Sequence, residues 1–327
     1  QRRRQINEPK CRSDKSMINL ENKKVIVTGA GSMIGKSVTK KLEDRGAIVH
    51  RVLHTECDLL DYNQTIKVFE DFQPDYCIHA AGYNGNINFN KLYPSDIFYN
   101  TTVMGVNTLK ASAETGVEKV VSVLASCAYR STNDSLREGD FNEGLPDKSV
   151  EAHGLSKKAL YYYSKQIHKQ YGTVAVCTIF NTAYGPHDSF NVNKTKVVGG
   201  LIKKFTDAAK NKEPCVTCWG TGKPRRELIY CEDAAEGVIQ ALEKYTVVDF
   251  PINIGYNKDI SIKELAELIA SIVEFEGEIY WDLDKPDGQF RKILDSSRMK
   301  ECNINIENPV SLEAGLRKTI QWYKENS

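Results

Sequence analysis

The chain has 327 residues, 41% hydrophobic and 27% charged, an ordinary globular composition at a length that holds one large α/β domain and a smaller one. Lys and Arg number 44 against 43 Asp and Glu, a formal net charge of +1, so the balance points neither to nucleic acid nor to an acidic membrane surface. No apolar run approaches the roughly 20 residues of a membrane span, and the expected partner of a soluble chain of this kind is a small molecule.

Nine cysteines (Cys11, Cys57, Cys77, Cys127, Cys177, Cys215, Cys218, Cys231 and Cys302) are scattered, most in apolar runs such as Tyr76-Cys-Ile-His79. They read as reduced thiols used as small hydrophobes, which favours a reducing, cytoplasmic compartment. Cys215-Val-Thr-Cys218 is a literal C-x-x-C without a second pair. A zinc site takes about four ligands, so a strand with a cysteine near each end is the better reading.

Residues 1–22 are polar, include Arg2-Arg-Arg4 and hold no apolar segment, so they are set aside as a disordered basic leader or expression remnant, not a secretory signal. Lys24-Val-Ile-Val-Thr28 is a β-branched run, followed by glycines and a helical pattern from Lys36 to Arg45 that ends at Gly46. A strand follows over Ala47–Leu53, an amphipathic helix over Gln64–Phe72, and a strand over Asp75–Ala81 that ends in small residues. The alternation continues with a helix over about Asn100–Thr115, a strand at Lys119–Leu124, a helix over about Leu155–Tyr171 and a strand at Val174–Phe180. Strands separated by helices imply right-handed crossovers and a parallel sheet covered on both faces, a Rossmann-type doubly wound α/β fold.

After Tyr184 the pattern loosens. Helices are expected over Gly199–Asn211, Asp233–Lys244, Ile262–Val273 and a last segment ending in Trp322-Tyr323, with short strands at Pro251–Gly255 and Gly277–Trp281. The division expected is a dinucleotide-binding domain over 23–190 plus about 230–257, and a smaller C-terminal α/β substrate domain over about 191–229 plus 258–327.

Thr28-Gly-Ala-Gly-Ser-Met-Ile-Gly35 lies between the first strand and the first helix, the context that makes a glycine fingerprint meaningful. Glycines let backbone approach a pyrophosphate, and the helix N-terminus supplies N–H groups. The candidate cofactor contacts are Gly29, Gly31, Ser32, Met33 and Ile34, with Asp58-Leu59 and Ala80-Ala81-Gly82 near the ends of the next two strands. A G-x-x-G-x-x-G spacing would place its middle glycine at Ser32; the middle glycine here is Gly31. The second strand ends in His50-Arg-Val-Leu-His54, with cations and no acid for a ribose 2′-hydroxyl, which favours NADP over NAD with Arg51 and His54 as candidates for the 2′-phosphate. A solvated Arg51, and a helix-capping Asp58, are the plain alternatives.

Three further segments fall at the C-terminal ends of strands, where ligands of open α/β sheets bind: Ala125-Ser-Cys127, His153 to Lys157, and Tyr184-Gly-Pro-His-Asp188. With Leu92-Tyr-Pro-Ser-Asp96, Trp219-Gly-Thr-Gly-Lys-Pro-Arg-Arg226 and Lys285-Pro-Asp-Gly288, they make the chain from about Lys23 to Trp322 resemble the GDP-L-fucose synthases, extended short-chain dehydrogenases/reductases. The resemblance implies epimerisation of a GDP-linked 4-keto-6-deoxy sugar at C3 and C5 and reduction at C4 with NADPH. It implies Cys127 and His187 as the groups that take and return protons, Ser126 as a hydrogen bond to the C4 carbonyl, and Lys157 on the nicotinamide ribose. Asn181, Lys204, Trp219, Arg226 and Lys285 are the implied contacts to the sugar nucleotide, Trp219 through its ring and the cations through hydroxyls and phosphates. A homodimer through the two helices flanking the sheet follows by analogy.

The chain departs from the family at His153, where a tyrosine donates the proton to the C4 oxygen, and at Asn181-Thr182, where the order is Thr-Asn. Tyr161-Tyr-Tyr-Ser-Lys165 is a literal Y-x-x-x-K, yet Tyr161 falls two helical turns past His153, roughly 12 Å along the axis at about 1.5 Å per residue. It reads as a packing face on the sheet or a partner. Three readings of His153 stand open: an imidazolium donor whose reduction fades as pH rises above roughly 6.5, a loss of the C4 reduction, or a different substrate such as a GDP-heptose.

Overall fold

The computed structural model describes residues 17–192, 194–285 and 287–327, so most of the expected leader, and Cys11 with it, lies outside the described residues. Strands β1 (Lys24–Thr28), β2 (Ile48–Val52), β3 (Tyr76–His79), β4 (Lys119–Val123) and β5 (Val174–Ile179) alternate with helices α1 (Met33–Glu43), α2 (Tyr62–Phe72), α3 (Ile87–Leu92), α4 (Pro94–Glu114) and α5 (Glu151–Tyr171). The two helices α4 and α5 start earlier than the apolar periodicity suggests. Proline at the first position of α4 has no N–H to satisfy and a helical φ, and the earlier start of α5 puts His153 in its first turn.

Downstream come β6 (Thr182–Tyr184), α6 (Val197–Asn211), β7 (Cys215–Trp219), β8 (Arg225–Arg226), β9 (Leu228–Tyr230), α7 (Cys231–Lys244) and β10 (Ile252–Asn253). The chain ends with β11 (Ile260–Ser261), α8 (Ile262–Ile272), β12 (Glu278–Asp282), β13 (Arg291–Lys292), α9 (Ser297–Glu301) and α10 (Leu312–Asn326). The main sheet has the order β10-β5-β4-β3-β1-β2, and its neighbours all pair in parallel. Alternate residues feed two cores, as the period of two requires. Val25, Val27, Ile78, Val121 and Val176 pack with α1 and α7, and Ile26, Cys77, Val120 and Ala175 with α2, α4 and α5. Small sheets (β7 with β12, β8 with β11 and β13, β6 with β9) carry the later segments.

The tyrosine run on α5 resolves by packing. Tyr161 is buried edge-on to Phe141 at 4.8 Å, with its hydroxyl on the Asp249 carbonyl, while Tyr162 is exposed. Cys215 and Cys218 are free thiols on β7, as are Cys57, Cys77, Cys127, Cys177 and Cys231 elsewhere. Cys302 is disulfide-bonded, against the expectation of reduced thiols throughout.

Lys119 opens β4 with its side chain buried and its ammonium on the Leu242 carbonyl in the last turn of α7. Burial lowers its pKa to about 7, with Glu243 opposing. An unfolded lysine titrates near 10.4, so from about pH 7 to 10.4 the unfolded chain binds more protons and stability rises with pH. A Lys119→Met chain lacks that slope: its melting temperature relative to the parent should be highest at pH 6.5 and fall by pH 9, and a pH-independent difference would contradict this.

Candidate active site

The glycine loop is shaped by contact with the end of β3. Gly29 has φ +68°, and a Cβ there would sit 2.7 Å from the backbone of Ala81, so the turn from β1 lies flat on Ala80-Ala81. Ser32 shows why a serine serves at the middle position. It caps α1 at φ −76°, its hydroxyl donating to the Gly29 carbonyl at 2.8 Å and accepting from the Gly35 N–H at 3.1 Å. No left-handed conformation is needed there. Gly31 stands exposed, and a Cβ at that position would meet the Leu53 side chain at an ordinary 3.5 Å. Met33 is buried beneath the helix start.

The cations at the end of β2 differ from expectation. Arg51 is not free: its guanidinium donates to both oxygens of Glu43 at 2.7 and 2.8 Å. His54 is exposed. Asp58 is not the helix cap; Asp61 caps α2, while Asp58 accepts from the Leu60 N–H at 3.0 Å and Leu59 is buried.

The chemistry-bearing side chains gather at the carboxyl ends of β3, β4 and β5. A short turn, Ser126–Ala128, follows β4, and α5 presses against it. A Cβ on Gly154 would lie 2.4 Å from the Cys127 carbonyl, so the residue after His153 has room for a hydrogen alone. Lys157 is buried, with its ammonium donating to the Val123 carbonyl at 2.9 Å. A Cβ on Gly82 would come within 3.6 Å of the same nitrogen, which places the lysine beside one of the expected cofactor contacts. Ser126 is buried in this corner.

Charge states follow from burial and from cations that local sequence gives no hint of. Burial raises the Cys127 thiol, while Lys292, Lys157 and Lys196 pull it down. Burial holds His153 well below the usual histidine range, reinforced by Lys157, Lys196 and Lys292. Its ring is 7% exposed, and Nδ1 has no partner among the described residues. Burial and the three cations thus act together in favour of the neutral imidazole over an imidazolium. Burial also lowers Lys157 to about 8, with Cys127 and Cys177 opposing and Lys196 adding to the fall. Lys196 caps α6 and Lys292 ends β13, paired in register with Arg226. Only the crossing of elements distant in sequence brings them here.

The remaining candidates divide. Trp219 is exposed, flanked by Lys204 and Lys285 at 5.7 and 5.9 Å from its ring, a platform with two cations. Arg226 is half-buried, lowered by burial, with Asp147 and Asp287 opposing. Asn181 is buried, its amide donating to Glu227 at 2.6 Å and its oxygen without a partner among the described residues. His187 stands apart from the cluster. It is exposed at φ +68°, 3.3 Å from the Lys36 ammonium and edge-on to Trp322 at 4.9 Å, in a cleft of about 240 Å³ that also includes Lys40 and Glu232.

The cradle fits a dinucleotide: glycine where a Cβ would strike backbone, helix N–H groups at its head and a buried lysine at the strand ends. Comparison with known proteins agrees. The model of the NAD dependent epimerase/dehydratase family matches residues 25–255. GDP-L-fucose synthase 1 from Arabidopsis thaliana is 31% identical over 317 residues, 96% of this chain and 97% of its own. A GDP-L-fucose synthetase from Naegleria fowleri, solved bound to NADP, superposes with a TM-score of 0.85 at 26% identity, over 95% of this chain and 97% of its own. A GDP-mannoheptose C4 reductase from Campylobacter jejuni with NADP bound gives a TM-score of 0.82 at 25% identity, over 93% and 98%. The chain belongs to the NAD dependent epimerase/dehydratase family and is, within it, a GDP-L-fucose synthase-like protein.

Proposed function

We propose that the protein is an NADP(H)-dependent epimerase/reductase of a GDP-linked 4-keto-6-deoxy sugar. The observation that carries this reading is the convergence of Cys127, His153 and Lys157 at the strand ends beside Gly82 and the glycine loop. The bound cofactor supplies a hydride for the C4 carbonyl. The loop from Gly29 to Ile34 holds its diphosphate, Asp58, Leu59 and Ala80 to Gly82 its adenosine side and mid-section, and Lys157 its nicotinamide ribose.

On the sugar, Cys127 and His187 exchange the protons at C3 and C5, acids because they lie alpha to the carbonyl. The exposed, left-handed His187 is a strained loop position of the kind found at functional sites, and the reading has it turn from Lys36 toward the sugar. Ser126 hydrogen-bonds the carbonyl. Trp219 covers ring surface, and Lys204, Lys285 and Arg226 meet phosphates and hydroxyls, with Asn181 behind them. A second reading, action on a related GDP-sugar such as a GDP-heptose, is favoured by the likeness to the GDP-mannoheptose C4 reductase.

Purified protein with NADPH and a panel of GDP-4-keto sugars across pH 5.5–8.5 should oxidise the cofactor; a flat trace with every sugar would sink the reductase half. Deuterium from solvent should enter C3 and C5 without NADPH, and Cys127→Ser and His187→Asn should each slow that entry by a hundredfold or more. Unchanged exchange in both would remove them from the chemistry. Freeing Arg51 by Glu43→Gln should tighten NADPH several-fold in a fluorescence titration and leave NADH unmoved, since only the former carries a 2′-phosphate. The assembly in this reading is a cytosolic homodimer across α4 and α5, whose Phe98, Tyr99 and Tyr162 are exposed. Light scattering should return twice the chain mass of 36.8 kDa.

A further inference from the structure

We infer that Lys157, not His153, delivers the proton to the C4 oxygen of the sugar. The inference rests on the reductase reading above and changes who performs its last step. The ammonium of Lys157 lies between the ends of β3 and β4, tied to the Val123 carbonyl at 2.9 Å and 3.6 Å from where a Cβ on Gly82 would stand. That is the crevice outside the strand ends where open α/β sheets seat their ligands. One of its three N–H groups is used by Val123, so two remain for a ligand.

His153 sits one helical turn earlier on α5 with its ring buried and Nδ1 open among the described residues. A neutral imidazole N–H hydrogen-bonds well but is a very weak acid. To become an acid it would have to take a proton while buried among the ammonium groups of Lys157, Lys196 and Lys292. Lys157 starts with the proton. The groups facing it are His153 on its own helix, Cys127 on the turn after β4, Cys177 on β5, Lys196 at the start of α6, and His79 on β3. His79 is fully buried, with Nδ1 on the Thr28 hydroxyl at 2.8 Å, and is held neutral by burial and by Lys157. Burial and the neighbouring ammonium bring Lys157 itself to about 8, close to the working pH that suits a general acid.

A hydride from NADPH bonds to the C4 carbon, the carbonyl π pair moves to oxygen, and a proton leaves Lys157 for that oxygen, giving a hydroxyl, NADP⁺ and a neutral amine. Solvent returns the proton to Lys157. His153 is left to hydrogen-bond the oxygen, not to protonate it.

Titration and kinetics test this separately. In protein carrying ¹³C-lysine, the ε-carbon resonance absent from Lys157→Met should titrate near 8; titration at the ordinary lysine value, near 10.4, would overturn the inference without reference to turnover. In single-turnover NADPH oxidation the rate should fall tenfold per pH unit above about 8, and His153→Gln should lower the rate without moving that midpoint. Lys157→Arg keeps the charge but gives up no proton, so at NADPH concentrations that saturate it hydride transfer should fall by a thousandfold or more. A midpoint below 6.5 that disappears in His153→Gln assigns the proton to His153 and overturns the inference alone. No oxidation by the parent protein at any pH, with deuterium exchange intact, overturns the reductase reading and this inference together.

Discussion

The hydrogen bond from Lys157 to the Val123 carbonyl holds the site together. It ties the start of α5 to the end of β4, and the rest follows from that placement. With Lys157 fixed, His153 falls one turn nearer the helix start, and Gly154 brings the helix so close to the Cys127 turn that no Cβ fits between them. A buried ammonium is costly to keep, and here it is satisfied at one N–H by a backbone carbonyl and left open toward the crevice.

The electrostatics of this corner run opposite to those of a simple acid–base pair. Lys157, Lys196 and Lys292 act on the same imidazole and the same thiol. Burial and these cations together favour the neutral imidazole, while at the thiol burial raises the pKa and the cations offset only part of that rise. A surplus of positive charge at this corner also suits a ligand that carries negative charge, as a sugar nucleotide and a dinucleotide phosphate both do. Burial, with Lys196 adding to it, brings Lys157 toward neutrality.

At the cofactor end, geometry matters more than charge. Ser32 replaces a glycine without loss because its position is a helix cap with ordinary extended backbone, while Gly29 answers the close approach of Ala81. At the end of β2, Arg51 is engaged by Glu43.

The sequence by itself determined the five leading strands, the glycine turn and most of the helices between the strands, though not α3 or the early starts of α4 and α5, because periodicity and turn chemistry act over a few residues. The resemblance carried by its motifs named Cys127 and Lys157 as candidates, Cys127 on the turn after β4 and Lys157 on the second turn of α5. Only the tertiary structure decided the charge state of His153, the partner of Arg51 and the direction of His187. It alone brought Lys196 and Lys292 near Cys127, since neither carries a local signal and they come from elements far apart in the chain. Ionisation depends on desolvation and on charges a few ångströms away, and those distances exist only once the chain has folded.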